Sequence, residues 1–168
     1  TVQGADPRFG MQAPIARSMT IETPSGLTYT QTAEREAFGD PLSLQYLTDT
    51  VTINGRTYVS DYDAATSKIT STTPEGRQSF TTLDEKGRVV LVETLGLAPV
   101  SFTYDARGRL TAITEGTGAE ARITTIAYNA QGYIESTTDP MNRTTGFEYD
   151  LAGRVTAQIR RSEEHTSE

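Results

Sequence analysis

The sequence predicts an all-β fold made of consecutive antiparallel β-hairpins, and three observations carry that prediction. A short motif, typified by FTYDARGRLTAI at 102–113, returns along the chain at a spacing of about 21 residues. Turn-forming residues interrupt the chain about every ten residues, twice in each unit. The stretches between turns, such as ARITTIAY and RTTGFEY, are rich in β-branched and aromatic residues that suit extended strands. A period of this kind outranks readings of isolated residues, because each unit buries surface mainly against its neighbours.

The period is visible in two columns. Tyr62, Leu83, Tyr104, Tyr128 and Tyr149 are separated by 21, 21, 24 and 21 residues. Gly87, Gly108, Gly132 and Gly153 keep the same spacing, and the longer unit takes up its extra residues in TEGTGAEAR at 114–122, an enlarged turn. Half a unit away, TTPEGR at 72–77 matches TDPMNR at 138–143, and INGR at 53–56 falls 21 residues before PEGR.

Each turn has its own chemistry. Tyr104 is expected to close a strand, Asp105 to accept backbone N–H groups in the turn, and Gly108 to take a positive φ before Arg109 starts the return strand. Asn129 and Asp150 do the same work in their units. At the opposite turn Pro74 or Pro140 fixes φ, and Gly76 or Asn142 follows where a left-handed residue is tolerated. Asn54-Gly55 is the strongest short hairpin signal in the chain.

Alternation then assigns faces. Phe102 and Tyr104 share one face of their strand with Thr103 on the other, and Phe147 and Tyr149 repeat this around Glu148. Leu110 and Ile113, three apart, face opposite sides of a regular strand, so either a bulge intervenes or both faces are partly covered.

The first fifty residues keep the theme loosely. IETPSGLTYT at 21–30 resembles the proline-glycine half of a unit. TAEREAF, which follows, reads as a single helical turn or a widened loop stopped by Gly39 to Pro41. The domain reading is therefore a divergent region over 1–49, a repeat array over 50–160, and a tail over 161–168. That tail, RSEEHTSE, resembles the translation of a sequencing-adapter oligonucleotide, so Glu163, Glu164 and His165 are set aside from every site argument.

Composition narrows the function classes. An apolar content of 35% with seven prolines predicts a modest core. The net charge of −7, with arginines spread through the turns, argues against nucleic acid as a partner. The absence of cysteine removes disulfides and thiolate chemistry without deciding the compartment. No apolar run reaches the length of a transmembrane helix. The N-terminus TVQGADPRFG has neither an initiating methionine nor the pattern of a signal peptide, and reads as the interior of a longer protein.

YDARGRLTAI, YNAQGYIEST and YDLAGRVTAQ, with TTPEGR and TDPMNR between them, resemble the RHS or YD repeats of large bacterial surface and secreted proteins. Tyr104, Asp105, Gly108, Arg109 and Leu110 match that pattern throughout, as do Tyr149, Asp150, Gly153, Arg154 and Val155. Asn129 departs from the aspartate, Tyr133 from the arginine and Leu83 from the tyrosine; after Tyr62-Asp63, Ser67 and Lys68 stand in for the glycine and arginine.

The resemblance implies a spiral array of hairpins forming part of a larger hollow shell, a secreted or cell-surface location in a bacterium, and a wall enclosing or presenting a C-terminal effector. Its partners are then neighbouring repeats of the parent chain and an enclosed toxin domain. The alternative is an adhesion or carbohydrate-binding module facing a cell-surface glycan or protein. The two differ in their tyrosines, which stand solvent-open in a row on a sugar-binding face and pack against neighbouring hairpins in a shell. A β-propeller fits less well, because its blades repeat at forty or more residues.

No catalytic, cofactor-binding or metal-binding residue is assigned, and no cofactor is expected. Asp61 and Asp63 lie on one strand face and could serve glycoside hydrolysis, which needs two carboxyl groups across a substrate bond, but Asp63 reads as a turn cap and Asp61 as solvated. Calcium in TDTVTINGR would find only Asp49 well placed. Arg109 and Arg154 read as turn-closing ion pairs with Asp105 and Asp150, against the alternative of lining a wall that touches cargo.

Overall fold

The computed structural model describes residues 1–161; residues 162–168, most of the set-aside tail, lie outside the described residues. The chain divides into two compact units, Thr1–Leu97 and a second beginning at Ala98.

In the first unit, β1 (Val2–Asp6), β2 (Gly10–Glu22), β3 (Thr28–Asp40), β4 (Ser43–Ile53), β5 (Arg56–Asp63), β6 (Lys68–Thr72), β7 (Gln78–Leu83) and β8 (Val89–Thr94) follow in order. Each pairs antiparallel with the strand next to it in sequence. The second unit repeats the arrangement with β9 (Val100–Tyr104), β10 (Leu110–Glu115), β11 (Arg122–Tyr128), β12 (Ile134–Thr138), β13 (Thr144–Tyr149) and β14 (Val155–Arg161). Between β10 and β11 the enlarged turn holds one 3-10 turn, Gly118–Glu120. Both units are open meanders of hairpins.

The segment TAEREAF is not helical: it lies in the middle of β3, paired residue for residue with β4 from Ala33↔Val51 to Phe38↔Tyr46. Alanine and glutamate are poor strand formers, and the long antiparallel ladder overrides that preference. The expected modest core is also absent. Among the described residues no apolar side chain is buried, and Asp6, 4% exposed, is the one buried polar residue. A single layer of sheet has no opposing layer to pack on, so its side chains are covered only by lateral neighbours.

One backbone turn serves both halves of the repeat. In the tyrosine-side turn the Asp105 N–H donates to the Arg109 carbonyl and the Gly108 N–H to the Asp105 carbonyl, both at 2.9 Å. The same two bonds recur at 23–27, 73–77, 84–88, 129–133, 139–143 and 150–154, so the proline-side turns have the same form. Asn142 takes the left-handed position at φ 60, and Ser67 does so at φ 52 in a turn one residue longer. Asn54 and Gly55, at φ 47 and 80, make the two-residue hairpin expected of them.

A bulge follows four of the five tyrosine-column turns, the exception being the longer turn after Tyr62, whose β5–β6 ladder is regular. Leu110 pairs with Tyr104 but Ala112 with Thr103, leaving Thr111 as the extra residue. The inserted residue rephases the strand, so Ile113 comes opposite Phe102 and Leu110 opposite Tyr104 on one face. The same slip occurs between β7 and β8, β11 and β12, and β13 and β14.

Candidate functional site

The residues of the repeat motif converge on a contact between one hairpin and the next. In the second unit the backbone ladder between consecutive hairpins stops short of the tyrosine-side turns: β10 and β11 pair only as far as Ala112↔Thr125, and β12 and β13 only as far as Ser136↔Gly146. Side chains take over where the ladder ends. The Tyr128 hydroxyl donates to the Leu110 carbonyl at 2.8 Å, and the Tyr149 hydroxyl donates to the Ile134 carbonyl at 2.8 Å. Both carbonyls belong to the residue that opens the bulge of the preceding hairpin.

A second contact runs the other way. The Arg109 guanidinium lies over the Tyr128 ring, 4.2 Å from its centroid. Its orientation is set by its own turn, where Nε and Nη2 donate to Asp105 at 2.8 and 2.7 Å. Asp105 in turn accepts the N–H groups of Arg107 and Arg109, both at 2.9 Å. The Arg109 backbone N–H beside the Asp105 carboxylate is the leading cause that holds its pKa below the usual value. The aspartate thus fixes the turn and aims the arginine, the arginine covers the next tyrosine, and that tyrosine ties back to the bulge.

The departures from the motif follow this logic. Where Tyr133 occupies the arginine column, its ring stacks on Tyr149 with centroids 4.9 Å apart and planes at 24°. A Cβ on Gly153 would collide with the Tyr133 ring, so Tyr133 also lies over the next turn's glycine. The uncharged Asn129 at the aspartate position accepts only the Tyr133 N–H, at 2.9 Å, and has no guanidinium to aim. Where Leu83 replaces the tyrosine, the backbone ladder reaches the turn: Lys68 pairs with Thr82, and the Leu83 N–H donates to the Ser67 carbonyl at 2.8 Å.

Ion pairs of the same form close the turns at Asp84–Arg88, Asp139–Arg143 and Asp150–Arg154. Arg109 keeps 28% of its side chain exposed and Arg154 81%, although their pairs are equally short. The stacked ring, rather than the ion pair, is what covers the arginine.

The other sequence candidates fall apart as sites. Asp61 accepts the Thr48 hydroxyl at 2.7 Å, and Asp63 caps its turn through Ala65 N–H and the Thr66 hydroxyl. Asp49, the calcium candidate, is held by Arg35 at 2.6 and 2.8 Å. Arg35 also reaches Asp6 at 3.2 Å, a contact no sequence spacing announces. Among the described residues no group of three or more His, Cys, Asp or Glu side chains is placed to hold a metal ion. Tyr62, Tyr104, Tyr128 and Tyr149, the tyrosines of the repeat column, are all half-buried, while Tyr46, Tyr58 and Tyr133 are exposed.

No curated protein matches the chain. A family model described as the teneurin YD-shell matches residues 1–165. With hairpins in sequential order and the tyrosine-aspartate turn recurring at Tyr62, Tyr104 and Tyr149, this all-β repeat segment belongs to the teneurin YD-shell family.

Proposed function

We propose that the chain is a stretch of wall in an exported bacterial protein, secreted or held at the cell surface, whose finished shell encloses or presents a C-terminal effector. The observation that carries the reading is the clamp between hairpins. At Asp105, Arg109 and Tyr128 it spends the turn's charged pair and the next hairpin's tyrosine on holding neighbouring hairpins together. A wall of this kind needs lateral cohesion without a second layer, and the clamp supplies it where the backbone ladder ends. The neighbouring repeats of the parent chain are its first partners.

The test is recovery of the complete reading frame from the source DNA, followed by limited proteolysis of the full-length protein. If the array leads into an unrelated C-terminal domain that resists protease until the wall is unfolded, the enclosing role stands. A frame that stops soon, or continues into sugar-binding or wall-anchoring modules, removes the effector from the proposal.

A further inference from the structure

The edge of β3 in the first unit is unpaired over half its length. Its pairing with β2 runs from Glu22↔Thr28 to Ser18↔Thr32 and stops, while its pairing with β4 continues to Asp40↔Ser43. The cause lies in β2. Extending the register would set Pro14 opposite Glu36, and proline has no N–H to donate. Met11 to Pro14 also fall in the irregular stretch of the β1–β2 ladder, between Ile15↔Gly4 and Gly10↔Asp6. Every second residue from Ala33 to Asp40 therefore turns its N–H and C=O away from β4 toward no strand.

The side chains beside that edge have one chemical character. Glu34, Glu36 and Phe38 alternate along its exposed face, and all three are exposed. Glu36, Ala37, Phe38, Tyr46 and Thr48 line a shallow hollow of about 310 Å³. Phe38 is 69% exposed and Tyr46 50% exposed, a cross-strand aromatic pair with a carboxylate at its rim. Arg35, on the other face, is already taken up by Asp6 and Asp49.

We infer that the β3 edge from Ala33 to Asp40 is a binding site for an extended basic segment, which adds to the sheet as a strand and lays a lysine or arginine side chain in the hollow between Phe38, Tyr46 and Glu36. The free backbone groups supply the ladder. The aromatic pair takes the aliphatic stem and the cationic head, and Glu36 and Glu34 complement its charge. A second copy of the chain is the competing occupant: self-pairing centred on residues 34 to 36 sets Glu34 or Glu36 against another glutamate, whereas an added lysine-bearing strand meets both carboxylates with opposite charge.

The probe is a fluorescein-labelled seven-residue peptide alternating threonine with lysine, titrated into the whole chain and read by anisotropy, with amide hydrogen exchange to locate it. Saturable binding is expected, with slowed exchange confined to 33–40. Phe38→Ala and the double variant Glu34→Gln/Glu36→Gln should each weaken it about tenfold while the circular dichroism stays that of a sheet. A peptide N-methylated on its ladder-facing amides should not bind. Equal binding of the N-methylated peptide, protection elsewhere, or concentration-dependent self-association through this edge in place of peptide binding would each overturn the inference.

Discussion

Tyr133 and Gly153 show how tightly single positions are tied across hairpins. Gly153 has φ 76, where any side chain is strained, and a Cβ there also meets the Tyr133 ring. Gly87 has the same φ of 76 with open space around it. Gly87→Ala is expected to destabilise by about 1–2 kcal/mol from the backbone alone. Gly153→Ala should cost more, and the excess should vanish in a Tyr133→Ala background; urea unfolding of the four variants measures the coupling.

The aspartates carry a pH dependence at the same scale. Asp84, Asp105 and Asp150 have lowered pKa values led by the arginine backbone N–H, and Asp139 by the Arg143 side chain. A carboxyl depressed in the folded state contributes stability above its ordinary value of 3.8 and loses it as pH falls through the folded value. Stability is therefore expected to hold through mild acid and to drop below about pH 4. Asp105→Asn should lower stability at neutral pH and flatten the acid limb; an unchanged acid limb would show that Asp105 does not contribute to it.

At the level of the hairpin, the clamp makes two tests. Tyr128→Phe keeps the ring under Arg109 and removes only the hydroxyl, so it should cost about 0.5–1.5 kcal/mol for the bond to the Leu110 carbonyl. The unit that departs from the motif is the sharper case. Tyr133→Arg alone puts a guanidinium beside Asn129, which cannot aim it, whereas Asn129→Asp with Tyr133→Arg rebuilds the pair found at Asp105–Arg109. The double variant should be more stable than Tyr133→Arg, and a double-mutant cycle reads the difference.

Much of this element was legible in the chain, and the illegible part has a physical pattern. The glycine and tyrosine columns gave the turns because left-handed φ and strand ends demand particular residues, as at Gly108 and Tyr104. The ion pair of Arg109 with Asp105 was legible because it is local. The stack of Arg109 on Tyr128, and of Tyr133 on Tyr149, joins residues of different hairpins, and no local rule brings them together. TAEREAF was misread because its strand is imposed by the ladder to β4 and not by its own propensity. The splay at the β3 edge was missed because its cause, Pro14, lies in another strand.

Across the molecule, the absence of a buried apolar side chain among the described residues changes what cooperativity means. Within each unit the described hairpins share no buried apolar layer, so stability is close to a sum of interfaces between neighbours. A lesion in one clamp should then be felt locally. Arg109→Ala removes both the brace on Asp105 and the cover on Tyr128, and should raise amide exchange most in β10 and β11, less in β12, and least in β13 and β14. Exchange that rises equally from β9 to β14 would mean that the second unit opens as one cooperative block. The distinction bears on the wall itself: a shell built from additive neighbour contacts can tolerate units like the one at Asn129 and Tyr133, because a changed clamp weakens one seam and leaves the next intact. It also places the demand for exact chemistry at the seams, where Tyr149 meets Ile134 and Tyr128 meets Leu110, and not in any layer beneath them.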